Sequence, residues 1–286
     1  MFNRQEKNIT DSEAKRKLPT NRKEVFFDLL KYRKMNMFAL SCFVFMFFIP
    51  LAVDLFLFNY LETLAISADK SDYLFSLVFY SMLIMIPCMM IGFIGLIAGF
   101  YVAKKMVWQE GTMLAVDFSQ GIKENWKHAV INGLLFGLIL FGLVMGSSYL
   151  LIYQKAQPVL TGIGIGALVL LFLTFGMVIA LNCTQDVYYV NNYGVTLKNS
   201  FCLLGLLNWR ILLIFILSTG ATFTLCCFNL ITMAIGLFLF AVLNSVIIIL
   251  YTLVSHFGFD KYINLEHYPD YVNKGLYKIE TNDKEA

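Results

Sequence analysis

The stretch from Lys104 to Lys127 holds the densest group of side chains that could take part in chemistry. Its members are candidates for a docking surface or for the inner gate of a permeation path: Lys104, Lys105, Glu110, Asp117, Phe118, Lys123, Asn125 and Trp126. Both signs of charge alternate in this short stretch, so ion pairs could fix it while its outer face binds a partner. A solvated helix face is the plainer interpretation, and the sequence leaves the two open.

Asp54 is the one carboxylate that we place inside an apolar block, and it lies in the outer part of that block. Charge inside a membrane segment marks a transport path or a polar contact between helices. A carboxylate solvated at the membrane interface is the alternative. We therefore treat Asp54 as a candidate polar contact to a substrate or to another helix.

Catalytic signals are absent from the sequence. It contains no nucleophile elbow, no His-Glu-x-x-His pair and no phosphate-binding loop. The three histidines, His128, His256 and His267, are far apart in sequence, and the six cysteines lack metal-binding spacing. We predict a protein that is not an enzyme, with no catalytic residue, no cofactor and no metal site.

A second polar stretch, from Gln185 to Arg210, is rich in amide and phenol groups. Asn191 and Asn192 occur there with Tyr188, Tyr189 and Tyr193, and Asn182 lies just before it. Such groups suit sugar binding, but tyrosine is equally ordinary at a membrane interface. We predict no sugar site from them.

Apolar segments must position all of these residues, because 59% of the chain is hydrophobic and its mean hydropathy is +0.70. That composition excludes an ordinary soluble domain. A helix needs about 20 apolar residues to cross about 30 Å of hydrocarbon. We predict an all-α bundle of six transmembrane helices at 37–58, 73–103, 129–154, 156–184, 208–226 and 231–254.

The basic residues give the predicted orientation. Of the 22 Lys and Arg residues, 20 fall before the first span, after the last, or in the two loops on that same side. Only Lys70 and Lys155 fall on the other side. Basic loops stay cytoplasmic, which predicts cytoplasmic N- and C-termini. We divide the chain into a polar segment (1–34), a transmembrane domain (35–257) and a cytoplasmic tail (258–286), with the lipid bilayer rather than nucleic acid as partner.

Two stretches have the spacing of amphipathic interface helices. In the first, from Arg22 to Lys34, apolar residues share one face and lysines and arginines flank it. In the second, between the second and third spans, apolar residues recur every four positions at Leu114, Phe118, Ile122 and Trp126. Gly121 interrupts this second helix, which leaves room for a bend there.

Glycines at four-residue spacing predict close helix packing. Gly95 and Gly99 lie late in the second span, and Gly133 and Gly137 lie early in the third. Small residues at this spacing let helices approach closely, so we expect these two spans to pack together. Glycine is also simply frequent in membrane helices, and the same glycines could form an oligomer contact, so the oligomeric state stays open.

A short pattern repeats at an offset of 83 residues. It pairs Phe118 with Phe201, Asn125 with Asn208, Trp126 with Trp209 and Lys127 with Arg210. Spans two and three would then be one copy of a unit and spans four and five another, in the same orientation. Tryptophan beside a cation is also what any entry into a membrane favours, which leaves duplication as one of two interpretations.

The run from Gly95 to Gly111, GLIAGFYVAKKMVWQEG, and its continuation from Asp117 to Lys127, DFSQGIKENWK, resemble the YesL family of bacterial integral membrane proteins. The resemblance covers about residues 35–150; after that only the hydropathy agrees. It implies a six-span protein in the plasma membrane of a Gram-positive-type bacterium. It also implies an association with carbohydrate uptake, with subunits of an ABC-type sugar transporter as partners.

Two functions follow as hypotheses. The first is a non-enzymatic accessory protein or regulator of a carbohydrate-uptake system. The alternative is a small transporter for a sugar or another small solute, favoured by the repeat and by the glycine-rich helices. Against transport stands the scarcity of polar groups at the middle of the membrane, where we find only Ser81, Asn132 and Thr174.

Overall fold

The computed structural model describes residues 19–67, 73–153, 157–220 and 229–277. Within these ranges the chain is helical and has no β-strand. Several predictions lie outside the described residues: those on Lys70 and Lys155, on the first 18 residues, on 221–226 of the fifth span and on 278–286 of the tail.

Seven α-helices of 11 or more residues follow one another in the described ranges. They are α1 (Arg22–Tyr32), α2 (Lys34–Ser67), α3 (Leu74–Val107), α4 (Leu114–Tyr153), α5 (Pro158–Tyr188), α6 (Tyr193–Phe215) and α7 (Leu230–Phe259). A π-helical turn, Ile216–Gly220, follows α6. Shorter turns follow α7 at Asp260–Asn264, Leu265–His267 and Pro269–Tyr271.

Five of these helices, α2 to α5 and α7, are long and apolar enough to cross a membrane. Helix α6 is bent by 103° between Tyr193–Leu207 and Trp209–Ser218, as in a broken span or a re-entrant loop, and a sixth span results only if this bent pair counts as one. Helices α2 and α3 have 34 residues each. Such a helix is about 50 Å long, whereas the hydrocarbon core is about 30 Å thick, so both extend beyond it.

The helices alternate in direction, and one end of the bundle is polar. We call the polar end the end at which α3, α5 and α7 finish and α2, α4 and α6 begin. Helix α1 also lies there, because Arg22 binds Asp260 just after α7.

The second predicted interface helix is not a separate element, which corrects the sequence prediction. Residues 114–127 are the first turns of α4, which runs without a break from Leu114 to Tyr153. Gly121 does not bend the helix. A Cβ at Gly121 would lie 2.8 Å from Tyr101 Cβ and 3.1 Å from Ala98 Cα. The glycine therefore serves the close approach of α4 to α3.

The first interface stretch is helical, as α1. Asn21 caps it by accepting a hydrogen bond from the Glu24 amide at 2.9 Å. Val25 and Leu29 are fully buried against the bundle, while Phe27 on the opposite face is exposed. One face of α1 is thus part of the core of the polar end.

Helix α3 lies at the centre of the bundle. Its second half is almost entirely buried, with Ile97, Ala98, Val102 and Met106 at zero exposure. It contacts α2, α4 and α7 along its length. The second half of α3 therefore forms the centre of the apolar core.

The four glycines serve three different contacts. Gly133 and Gly137 of α4 face the backbone of α3; a Cβ at Gly133 would lie 2.6 Å from Met90 Cα. Gly95 instead faces Phe47 of α2, and Gly99 faces Val44 of α2 and Ile248 of α7. The two pairs thus do not meet each other: one brings α4 onto α3, and the other makes room for the neighbours of α3.

Candidate functional site

A buried network at the polar end is centred on Trp108, directly after α3. The indole Nε1 donates to Nε2 of His256 at 2.8 Å. On the other side of the imidazole, His256 Nδ1 lies 3.0 Å from Oδ2 of Asp260 and 2.7 Å from Nη2 of Arg22. Arg22 and Asp260 form an ion pair at 2.8 Å. We call these four residues, with Lys274, the Trp108 network.

The surroundings of His256 fix its charge. Indole and guanidinium groups can only donate hydrogen bonds. Nε2 of His256 accepts from the Trp108 indole, so it carries no proton and the ring is neutral. The one ring proton is then on Nδ1, where Asp260 accepts it, and the neighbouring Arg22 guanidinium donates to the same carboxylate. The positive charge of this network is then carried by Arg22.

Residues 268–277, which we call the strap, cover Trp108 from outside. Lys274 Nζ lies 3.7 Å from the centroid of the Trp108 ring and 3.0 Å from Oε1 of Glu110. Arg22 donates to the Lys274 carbonyl at 2.9 Å. Gly275 has a φ of +84° and lies against the backbone of Val107 and Trp108, where a side chain would not fit. The strap therefore holds α1 and the turn after α3 together.

Aromatic rings extend this network along the end of α5. The Lys104 ammonium lies between the rings of Tyr101 and Tyr188 and donates to the Val187 carbonyl at 2.6 Å. Burial, with the Asp260 carboxylate nearby, raises the pKa of the Tyr189 phenol well above its ordinary range. That phenol stays protonated and donates to Oδ1 of Asn264 at 2.6 Å.

A second buried network joins α4, α5 and α6 around Asp186. Its carboxylate accepts from His128 Nδ1 at 2.9 Å and from Asn132 Nδ2 at 3.1 Å, and it lies 3.2 Å from the Thr196 hydroxyl. Oδ1 of Asn132 accepts in turn from the Asn182 amide and from the Tyr193 hydroxyl. We call these six residues the Asp186 network.

The predicted docking stretch divides between buried and exposed residues. Lys105 pairs with Asp117 at 2.6 Å, and Asp117 also accepts from the Met113 amide, which fixes the turn into α4. Phe118 is buried against Phe43 and Phe47 of α2. Lys104 and Glu110 belong to the surroundings of Trp108, and Asn125 donates back to the Gly121 carbonyl.

The outward face of the same turns is open. Lys123 and Trp126 are exposed, and a shallow groove of about 490 Å³ is lined by Ala115, Val116, Ser119, Gln120 and Lys123. Val116 is 62% exposed although it is apolar. The start of α4 thus has a fixed inner face and a free outer face of mixed character.

Asp54 makes a polar contact between helices. Its side chain is buried between α2 and α3 and accepts from the Ser81 hydroxyl at 3.2 Å. It lies toward the end of the bundle opposite the polar end, far along α2 from the networks around Trp108 and Asp186.

Sequence reasoning missed both network centres. The predicted fourth span stopped at residue 184, so Asp186 was counted as a loop residue, although it is the third residue from the end of α5. Spacing could have found the site, since His128 and Asn132 are four residues apart, as are Asn182 and Asp186. His256, Asp260 and Asn264 follow the same four-residue spacing beside Trp108.

Among the described residues, no group of three or more His, Cys, Asp or Glu side chains is arranged to hold a metal ion. At the polar end side chains bind one another, and the start of α4 presents a shallow groove on its outer face. No family model matches the chain, and no curated protein or solved structure shows significant similarity to it.

Proposed function

We propose that this chain is a non-enzymatic accessory protein of a membrane transport system, and that it binds its partner through the start of α4. The observation that carries the proposal is the contrast between the two faces of residues 114–127. The inner face is fixed by the Lys105–Asp117 ion pair and by Phe118. The outer face presents Val116 and Lys123 along a groove.

The orientation proposed from the charge bias makes this surface cytoplasmic. The 20 basic residues on one side of the predicted spans include those at the polar end. With α6 and its π-helical turn counted as a crossing, the bundle has six spans in a bacterial plasma membrane and both termini in the cytoplasm.

The charged groups of the polar end support a role without catalysis. Arg22 and Asp260 bind each other, as do Lys105 and Asp117. A catalytic acid or base must instead face a space that a substrate can enter. We assign these groups to holding the fold.

The occupant that we propose for the groove is an amphipathic helix of an ABC-type sugar transporter subunit. Exposed Val116 and Met113 offer an apolar strip, and exposed Lys123 and Lys127 lie further along the helix. A partner helix with apolar residues at i and i+4 and an acidic residue one or two turns away would match this pattern. The sugar-uptake context comes from the resemblance of residues 35–150 to the YesL family.

Co-purification from mild detergent with matched variants tests the proposal. We expect Val116→Asp and Lys123→Glu each to lower recovery of the transporter subunit about tenfold, the equivalent of roughly 1.4 kcal/mol of binding free energy. Val190→Asp is the control, because Val190 is exposed at the same end but outside the groove. Equal recovery with all three variants, together with normal sugar uptake in a deletion strain, would contradict the proposal.

We also propose that α3–α4 and α5–α6 are two copies of one unit. The matched tryptophans, Trp126 and Trp209, are both exposed, and each lies under the cation that follows it: Lys127 Nζ at 5.8 Å and the Arg210 guanidinium at 5.6 Å. The matched phenylalanines differ, because Phe118 is buried and Phe201 is exposed. An experimental structure in which the two units superpose with an offset of 83 residues would support duplication.

A small transporter is the second candidate, and Asp186 favours it. A carboxylate buried in a membrane bundle is the usual mark of a transported ion or proton. Purified protein in liposomes should then move a sugar or a small solute, and Asp186→Asn should abolish that movement. If liposomes that contain the wild-type protein move no tested solute, the transporter proposal is contradicted and the accessory function remains.

A further inference from the structure

The first part of α6, Tyr193–Leu207, runs across the polar end of the bundle. Near its start the Thr196 hydroxyl lies 3.2 Å from Asp186, the third residue from the end of α5. At its finish Leu207 packs on Gly258, the last residue but one of α7. Since α5 and α7 both finish at the polar end, the two ends of Tyr193–Leu207 lie at the same level. This part of α6 therefore lies across the axes of the other helices rather than along them.

The second part of α6 turns into the bundle. It follows the first part at an angle of 103°, and its Phe215 packs on Gly176 of α5. Gly176 precedes Asp186 by ten residues, and ten residues of helix are about 15 Å long, so Phe215 lies about that far below the polar end. A crossing made by α6 thus begins near Trp209, and the part before it is a helix at the level at which its neighbours end.

The first part of α6 has a buried face and an exposed face. Its buried residues follow helical spacing and pack on the bundle: Thr196, Ser200, Leu203 and Leu207. The exposed face is largely apolar, since Val195, Phe201 and Leu206 are all exposed. An apolar strip at the level of the helix ends suits the boundary between the headgroups and the acyl chains of a bilayer.

The cations of this region have no carboxylate partner. The stretch between Asp186 and Asp260 contains no Asp or Glu, and its two basic residues are Lys198 and Arg210. Both are exposed, and neither forms an ion pair within the part of the chain that the structure describes. The two flanking carboxylates are bound within the Asp186 network and the Trp108 network. A positive charge therefore remains to be balanced from outside the described chain.

Arg210 is held beside two exposed aromatic rings. Its guanidinium carbon lies 5.6 Å from the centroid of the Trp209 ring and 5.1 Å from that of Phe257, which belongs to α7. The guanidinium donates no hydrogen bond to any described residue. Its planar fork of donors matches a phosphate group, and the rings beside it offer a surface for acyl chains.

We infer that the first part of α6 is a membrane-surface helix and that Arg210, with Trp209 and Phe257, binds the phosphate of an anionic phospholipid at the polar end. The headgroup supplies the missing counter-charge. The apolar strip favours a lipid over an acidic peptide, because acyl chains cover Phe201 and Leu206 in the same complex. A lipid bound here would brace α6 against α7 at the bend. The inference does not depend on the proposed docking function.

Native mass spectrometry of the full-length protein in detergent tests the site, with phosphatidylglycerol and phosphatidylcholine as probes. We expect phosphatidylglycerol to bind more tightly than phosphatidylcholine. Arg210→Gln should lower the affinity for phosphatidylglycerol about fivefold, the contribution of one cation near a membrane surface. Lys31→Gln is the matched control, because Lys31 is an exposed cation over the Tyr32 ring but belongs to α1. Equal affinities for the two lipids, or for the wild type and folded Arg210→Gln, would overturn the inference.

Tryptophan fluorescence in lipid nanodiscs tests the same site without a change at Arg210. The chain has three tryptophans, and Trp108 is buried, so Trp126→Phe leaves Trp209 as the exposed indole. We expect brominated phosphatidylglycerol, diluted in phosphatidylcholine, to quench this indole more than the same fraction of brominated phosphatidylcholine. Bromine near the headgroup end of the acyl chain should quench more than bromine near its tip, because Trp209 lies at the membrane surface.

The fluorescence measurement also separates a lipid from a free phosphate. Inorganic phosphate should reduce the quenching no more than sodium chloride of the same ionic strength. A specific reduction by phosphate would assign the cation to a free anion and overturn the lipid site. Equal quenching by the two brominated lipids would do the same, even if Arg210→Gln does not fold. Circular dichroism and size-exclusion chromatography show whether each variant is folded.

Discussion

The Trp108 network and the Asp186 network lie at the same end of the bundle, yet their charges are balanced in different ways. In the first, permanent cations face carboxylates: Arg22 binds Asp260, and Lys274 binds Glu110. In the second, a carboxylate without exposed surface faces a histidine, a cation only when it is doubly protonated. Two buried carboxylates at one end of the bundle therefore differ in the nature of their counter-charge.

The histidines of the two networks, His256 and His128, also differ in what they bind. His256 accepts from the Trp108 indole through Nε2, which leaves a neutral ring whose one proton faces Asp260. His128 faces an acceptor through Nδ1 and is partly exposed on its other side. The first ring is thus a link in a chain of hydrogen bonds between two helix ends, whereas the second binds one carboxylate at the edge of the bundle.

Removal of the Trp108 ring should lower the stability of the protein most, and it would break the Trp108 network. Trp108→Ala deletes a buried ring that contacts His256, Lys274 and Tyr188. We expect a loss of about 3–5 kcal/mol in the free energy of unfolding, measured by denaturant titration in detergent. Trp126→Ala is the matched control, because that ring is 48% exposed and its loss should cost far less. Equal losses would refute a structural role for Trp108.

The variants Asp186→Asn and Asp260→Asn compare the two buried carboxylates. Asp260→Asn leaves Arg22 without a buried counter-charge, and we expect a loss of about 3 kcal/mol in stability. Asp186→Asn removes no permanent ion pair but turns an amide toward donors, which should cost about 1–3 kcal/mol. Thermal unfolding in nanodiscs at neutral pH gives both values. A larger loss for Asp186→Asn would mean that the second network is the structural one.

The glycine contact between α3 and α4 connects the helices that carry the two networks. Gly133→Ala places a Cβ 2.6 Å from Met90 Cα, and we expect a loss of about 1–3 kcal/mol from overpacking. Gly142→Ala, on the same helix, meets nothing within 4 Å and should be neutral or slightly stabilising. Unfolding curves of the two variants measure the difference. If they coincide, α4 does not pack on α3 as described.

Lys274→Ala should have the smallest effect on stability and would sharpen the account of the strap. The Lys274 ammonium is about one third exposed, so its contact with the Trp108 ring should contribute about 0.5–1 kcal/mol. We expect faster cleavage of the strap by chymotrypsin, which cuts after tyrosine, while the rest of the bundle is unaffected. Lys261→Ala, an exposed lysine outside the strap, should cleave at the wild-type rate.

Apolar blocks predicted the five long apolar helices, because a membrane helix is defined by composition over about 20 residues. The polar end of the bundle was harder to predict. The helical spacing of residues 114–127 was recognised, but not that the helix continues to Tyr153, since a polar segment and an apolar one can share one helix. Asp186 was missed because a charge at the end of an apolar block looks like the start of a loop.

The partners of Trp108 could not be found from local spacing at all. Arg22, Trp108 and His256 are separated by more than 80 residues each, and only the folded bundle brings them together. The glycines show the same limit: their spacing predicted close contacts, but nothing in the sequence indicated that Gly95 faces α2 whereas Gly133 faces α3.

The contacts of the strap also set an order in which the protein can be assembled. Because translation runs from the N-terminus, Arg22 and Trp108 are made long before His256 and Lys274. The contacts that close the polar end around Trp108 can therefore form only after the strap has been translated.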